Sequence, residues 1–140
     1  MPRDVDHIEI RAALNAEGER VRDLVVQGGY DVAGLDFDWS DIEPYWLVAV
    51  VNGKIMGCLQ LCPGKPVGRM ELLSVEQGLG PRGRAVLVKG LVYDGMAALK
   101  FSGSQAVACL INFEAKGFKR ILKKRGAVVL SSGNLLIRRI

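Results

Sequence analysis

At 140 residues, with 49% apolar and 24% charged side chains, the chain has room for one domain with a true core and lacks the hydrophobic deficit of disordered segments. No apolar run approaches the ~18 residues of a membrane-spanning helix, and the first residues, Met1-Pro2-Arg3-Asp4, lack the apolar stretch of a signal peptide, so a soluble, cytoplasmic single domain over residues 1–140 is expected. The net charge of +4 conceals 7 Lys/Arg against 13 Asp/Glu in residues 1–80, and 12 against 2 in residues 81–140. That polarity points to an anion held by the second half and leaves the acidic half to attract a cation, while a solvated basic helix face explains the same excess.

The elements follow from periodicity and turn chemistry. His7 to Leu14 alternates apolar and polar residues as a half-buried strand does. A helix capped by Asn15 then carries Val21, Leu24 and Val25 at helical spacing and stops at Gly28-Gly29. Residues 31–45 mix Asp36, Asp38, Asp41 and Glu43 with Phe37, Trp39 and Tyr45 and fit a short helix or an ordered loop. Two apolar runs, Trp46 to Val51 and Lys54 to Leu61, flank Asn52-Gly53, whose tolerance of positive φ marks a hairpin. Met70 to Val75 is a further strand. A strongly apolar helix runs from the glycine-rich Gly78-Leu79-Gly80-Pro81-Arg82-Gly83-Arg84-Ala85 to about Leu99. A strand from Gln105 to Ile111 leads to a helix capped by Asn112, with Phe118, Ile121 and Leu122 inward, Lys116, Lys119, Lys123 and Lys124 outward, and Gly126 as its C-terminal cap. Ala127 to Leu130 and Leu135 to Ile140 read as a terminal hairpin.

Cys58, Cys62 and Cys109 are an odd number and read as reduced, small core hydrophobes. With His7 the only histidine, neither a structural zinc site nor a thiol nucleophile paired with histidine is expected, and the metal set is none. The glycine-rich entrance to the long helix is the clearest functional feature. Unpaired N–H groups and the positive end of the helix dipole converge there, and Arg82 and Arg84 add charged donors suited to phosphate oxygens.

The order strand-helix-helix-strand-strand-strand-helix-strand-helix-strand-strand resembles the GNAT superfamily of N-acetyltransferases over nearly the whole chain. The fold this implies is α/β (α+β), a mixed, mostly antiparallel sheet of about six or seven strands flanked by about four helices. In that family a strand ending in hydrophobic-x-Val precedes a loop Gln/Arg-x-x-Gly-x-Gly/Ala and a helix. Leu73-Ser74-Val75 followed by Gly80-Pro81-Arg82-Gly83-Arg84-Ala85 is similar, with Gly83 and Ala85 on the small positions and Gly80 where Gln or Arg is usual. A second register uses Gln77 and Gly80 and puts Arg82 on a small position. The resemblance implies that the backbone from Arg82 to Ala85 holds the pyrophosphate of acetyl-CoA and that Leu73 and Val75 belong to the same cofactor site. Asn112-Phe113-Glu114-Ala115 is similar to the family's Asn-x-x-Ala, which makes Asn112 a cofactor contact or a helix cap. The family's tyrosine, the proton donor to the departing thiolate, falls on Leu122.

What the resemblance implies is an acyl-CoA-dependent N-acyltransferase in which an amine attacks the thioester directly. Glu71, on the strand before the loop, is the candidate general base, and the acidic segment Asp36 to Glu43 suits a cationic amine acceptor. A homodimer is compatible with this reading, and a membrane is not expected as a partner. A second reading, which the altered loop and Leu122 favour, is a catalytically degenerate GNAT-fold binding or structural protein; the chain is loosely similar to small bacteriophage-encoded GNAT-like proteins. A third is nucleic-acid binding through Lys116, Lys119, Lys123, Lys124, Arg138 and Arg139, which lacks exposed aromatics for base stacking.

Overall fold

The computed structural model describes residues 7–39, 45–110, 120, 123–124, 128–129 and 135–139. The alternation near the N-terminus gives strand β1 (Ile8–Ala12), followed by a 3-10 turn (Asn15–Glu17) and helix α1 (Gly18–Gln27). Asn15 does not cap α1 as expected, because the chain enters the helix through the 3-10 turn. Glu17 instead closes the turn that leads into it: its carboxylate accepts the Leu14 N–H at 2.7 Å and both Nη groups of Arg11 at 2.8 and 2.7 Å. The Arg11 guanidinium holds the Glu17 carboxyl below the usual carboxylate range.

Strands β2 (Trp46–Val51) and β3 (Lys54–Cys62) form the expected hairpin, with Asn52 and Gly53 at φ 50° and 79°, the positive pair that a two-residue primed turn requires. Strand β4 (Val67–Val75) begins three residues before the expected Met70, and α2 (Pro81–Phe101) runs two residues past the expected Leu99. Then come β5 (Ala106–Leu110), β6 (Val128–Val129) and β7 (Leu135–Arg139). The sheet order is β1-β2-β3-β4-β5-β7-β6, and every neighbouring pair is antiparallel except β4 with β5. That parallel pair requires a crossover, which α2 supplies.

The two helices cover opposite faces of the sheet. On one, Leu87, Leu91 and Leu99 of α2 are wholly buried against Ala49, Leu59, Leu61, Met70 and Val107. On the other, Val21, Leu24 and Val25 of α1 pack on Trp46, Val48, Val50 and Cys58. Burying each such aliphatic side chain stabilises the fold by about 1.5–3 kcal/mol, so these two layers carry most of the stability. Of the about four helices expected from the family resemblance, α1 and α2 lie among the described residues. Residues 31–39 form an ordered loop, not a helix, because Asp31 and Asp36 accept the Ala33 and Asp38 N–H groups at 2.9 and 2.8 Å and so close turns. Trp39 seals that loop, stacking on Trp46 at 6.1 Å. The helix expected from Asn112 lies outside the described residues except for Arg120, Lys123 and Lys124, which are helical and exposed. No helix among the described residues is long and apolar enough to cross a membrane.

Gly18 is where the loop and α1 touch: a Cβ there would stand 2.1 Å from the Phe37 carbonyl oxygen. Gly→Ala inside a helix ordinarily gains up to about 1 kcal/mol, but a backbone carbonyl cannot yield as a side-chain tip can. Gly18→Ala is therefore expected to destabilise by about 1–3 kcal/mol in urea unfolding, with a change in tryptophan emission as the Trp39–Trp46 stack opens.

All three cysteines are free thiols. Burial pushes Cys58 and Cys109 up to about 12, and Cys62, half-buried, is raised by burial first and then by Glu71. A thiol that stays protonated in the fold stabilises it fully below the ordinary thiol pKa, and loses that contribution as pH rises from about 8.5 through the folded value. Iodoacetamide at pH 8 is expected to modify Cys62 first, and Cys58 and Cys109 only on unfolding, as read by peptide mass mapping.

Candidate functional site

Among the described residues the sheet parts between β4 and β5. Their pairing runs from Val67↔Ala106 to Met70↔Cys109 and stops there, although β4 continues for five more residues, Glu71 to Val75. Along that stretch β4 pairs, among the described residues, only with β3, through a register shift between Cys58 and Gln60. Leu72 takes φ 56°, a left-handed conformation costly for a branched-chain residue, of order 1–3 kcal/mol. The bulge thus sits where the strand leaves its parallel neighbour, a place where bulges commonly redirect side chains.

From the free end of β4 the chain enters α2 through residues 76–80. Gly80 is the helix N-cap, with φ −68° and ψ 167°, and no side chain caps the helix. Pro81 has no N–H, and the first helical bond is Arg84 N–H to Gly80 O at 3.0 Å. The N–H groups of Arg82 and Gly83 therefore have no acceptor among the described residues, and no acidic residue stands in the first turn. These are the conditions for an anion site: unpaired donors, the positive helix end and two exposed arginines. Neither arginine is ion-paired among the described residues.

The open backbone donors are Arg82 and Gly83 rather than the whole run to Ala85, because Arg84 N–H is committed to Gly80 and Ala85 lies beyond the first turn, where helical geometry supplies an acceptor. Arg84 can contribute only its side chain. The geometry also favours the first of the two motif registers, since Gln77 is tied to α1: its Nε2 donates to Gln27 O at 2.7 Å. A Cβ built on Gly78 or Gly80 meets nothing within 4 Å, and neither takes positive φ. Among the described residues, neither packing nor backbone conformation thus demands glycine at these two positions.

Leu73 and Val75 pack their side chains on the α2-side core, so only their backbone groups remain to face the parting. The Leu73 carbonyl already accepts a hydrogen bond from the Tyr30 hydroxyl at 3.4 Å. Glu71 lies at the start of the parting. Its Oε1 is buried without a hydrogen-bond partner and stands 3.3 Å from Arg69 Nη1, close enough for charge attraction but not aligned for a hydrogen bond. A buried oxygen left unsatisfied costs about 1–3 kcal/mol, which marks Glu71 as a group awaiting a donor. Asn112 and Leu122 lie outside the described residues. Of the acidic acceptor-side residues, Asp36 is engaged in a turn and Asp38 is exposed, while Asp41 and Glu43 lie outside the described set.

Three participants carry no sequence signal of their own. Leu72 is a strand-former by type, Tyr30 follows a glycine pair that reads as a helix stop, and the Arg20–Glu76 ion pair at 2.6 Å joins residues 56 positions apart. A concavity of about 470 Å³ between α1 and residues 35–39, lined by Asn15, Arg22, Leu35, Phe37, Asp38 and Trp39 among others, shares no residue with β4 or α2. No group of three or more His, Cys, Asp or Glu among the described residues could hold a metal ion.

No family model matches the chain, and no curated protein sequence matches it. Solved structures do. Ard1 from Thermoplasma volcanium is similar at TM-score 0.74 and 16% identity, over 95% of this chain and 97% of that one. The PaiA N-acetyltransferase of Thermoplasma acidophilum, in complex with coenzyme A, is similar at TM-score 0.72 and 12% identity, over 96% and 99%. A GNAT family acetyltransferase from Brucella melitensis, in complex with acetyl-CoA, is similar at TM-score 0.67 and 16% identity, over 96% and 88%. At such identities a likeness speaks for architecture alone, and the architecture is common to all three: this chain has the fold of the GNAT acetyltransferases.

Proposed function

We propose that the chain is an acyl-CoA-dependent N-acyltransferase, with acetyl-CoA as the acyl donor and an amine as the acceptor. The observation that carries the reading is the coincidence, at one end of β4, of a parted sheet and an uncapped helix N-terminus with two unpaired arginines. The cradle fits a long ligand with an anionic end. Arg82 and Gly83 N–H groups, with the Arg82 and Arg84 side chains, would hold the pyrophosphate, while the backbone of Leu73 and Val75 lies along the path into the parting. Asn112 is a further contact in this reading. When bound, acetyl-CoA supplies the activated carbonyl and a thiolate leaving group.

Glu71 is assigned the base. Its Oε1 takes a proton from the acceptor ammonium, the freed amine nitrogen bonds to the acyl carbon, and the carbon–sulfur bond breaks, the nitrogen's surplus proton leaving with the departing thiolate. Backbone N–H groups at the parting polarise the carbonyl, and a cationic acceptor suits a carboxylate oxygen without a hydrogen-bond partner. Leu122 offers no proton to the leaving thiolate, so transfer is expected to be slow. The same residue supports the alternative of a GNAT-fold protein that binds CoA without turnover, which acetyl-CoA binding with no transfer to any amine would establish. Of the residues of the nucleic-acid reading, Lys123 and Lys124 are exposed, while Lys116 and Lys119 lie outside the described set.

Acetyl-CoA is expected to raise the melting temperature, by about 2.7 kcal/mol of stabilisation at a hundredfold excess over Kd; no shift at millimolar acetyl-CoA would sink the proposal. Replacing Arg82 and Arg84 together by methionine should weaken CoA binding by roughly 2–4 kcal/mol in calorimetric titration, at about 1.5 per charged hydrogen bond. Gly80→Ala offers a sharper test. The lost N-cap preference and the gained chain stiffness offset each other to within about 0.5 kcal/mol, yet the added methyl stands before the open N–H groups. Unchanged stability with CoA affinity reduced about tenfold is expected. Leu122→Tyr should raise kcat, up to about 10²-fold, with little change in KM.

A further inference from the structure

The first wholly buried side chain of α2 is Leu87. The helix start that carries Arg82 and Gly83 is therefore not held by core packing, and helix ends fray where nothing else holds them. What fixes it must act on residues 76–80. Leu79 is buried on the α2 side. On the other side stands α1, from which Arg20 and Gln27, seven residues apart and so on one helix face, both reach the connection. Gln27 takes the Gln77 side chain through its backbone carbonyl at 2.7 Å.

Arg20 makes the more elaborate contact. Its Nε and Nη2 donate to the Ile55 carbonyl at 3.0 and 2.8 Å, and Nη2 also reaches Glu76 Oε2 at 2.6 Å. The backbone of Glu76 completes the joint, its N–H donating to Met56 O at 2.8 Å and its carbonyl accepting the Leu79 N–H at 3.3 Å. One guanidinium thus binds the β2–β3 hairpin, α1 and the end of β4 at one point. A rotation of about 10° at Glu76, acting over a lever on the order of 10 Å, would move an N–H by nearly 2 Å, and hydrogen bonds tolerate only about 0.5 Å.

We propose that Arg20 is a positioning residue for the anion-binding turn: by clamping Glu76 to Ile55 it sets where the Arg82 and Gly83 N–H groups point. It touches neither ligand nor reacting atoms. The planar fork is what the geometry uses, since a lysine could meet the Glu76 carboxylate but could not donate twice to Ile55 while doing so. The consequence for CoA affinity rests on the function proposed above; the consequence for the turn itself does not.

The test therefore has two readouts on Arg20→Met, Arg20→Lys and the α1 control Arg22→Met, whose residue is exposed and on another face of α1. In the free protein, hydrogen exchange of the Glu76, Leu79 and Arg84 amides should quicken about tenfold in Arg20→Met, less in Arg20→Lys and not in Arg22→Met, while amides from Leu91 to Leu99 keep their protection. With CoA, Kd should weaken about tenfold and KM should follow, with kcat within about twofold. Unchanged exchange at those three amides in a folded Arg20→Met variant overturns the proposal, as does an equal loss of protection along all of α2, which would mean a merely structural role. Faster exchange confined to the turn, in a protein that binds no CoA even as wild type, leaves the clamp standing and removes the acyltransferase reading. CoA binding that is unaltered in Arg20→Met does the reverse.

Discussion

The structure depends on a strand that keeps its parallel partner for four residues and then leaves it. Pairing of β4 with β5 ends at Met70↔Cys109. Beyond that point β4 has a partner on one side only among the described residues, and the left-handed bulge at Leu72 turns it. The chain then swings into α2, whose apolar face buries the sheet it has just crossed. Everything chemically distinctive follows from that departure: an unpaired strand edge inside a sheet, a helix end with no cap at its mouth, and a glutamate with one buried oxygen unsatisfied. A sheet paired to its end would bury the same apolar area and offer none of them.

Much of this was legible in the sequence, for identifiable reasons. Asn52-Gly53 admits few conformations other than a tight primed turn, and the runs on either side leave a hairpin as the outcome. The α2 pattern is long and apolar enough to override the glycines within it. Gly95 shows why such glycines are there: a Cβ would stand 2.9 Å from Leu59 and 3.0 Å from Met70, so its absence lets helix and sheet approach. The uncapped start of α2 was legible because glycine and proline each act through local chemistry at a helix start.

What was not legible is non-local. Asn15 carries the residue type of a cap, but the carboxylate that closes the turn into α1 comes from Glu17, which Arg11 orients. Leu72 adopts a conformation its type disfavours because register on both sides imposes it. Nothing near Arg20 announces Glu76, since the pair exists only after four elements have met. The open N–H groups at the start of α2 have a related reason: the motif names a run of residues, but which N–H groups stay open depends on where the first helical bond closes.

The parting of the strands has a further consequence in time. The β2–β3 hairpin closes over two residues, and β4 returns along β3 after a short loop. By contrast Val67 must find Ala106 across the whole of α2. Closing that distance costs chain entropy before any pairing rewards it. The topology thus orders assembly, local hairpin first and parallel closure late, and the kinetic signature is φ-values near zero in β5 beside higher ones in β2 and β3. Since the cleft is bounded by the last pair to form, no partly folded chain has it.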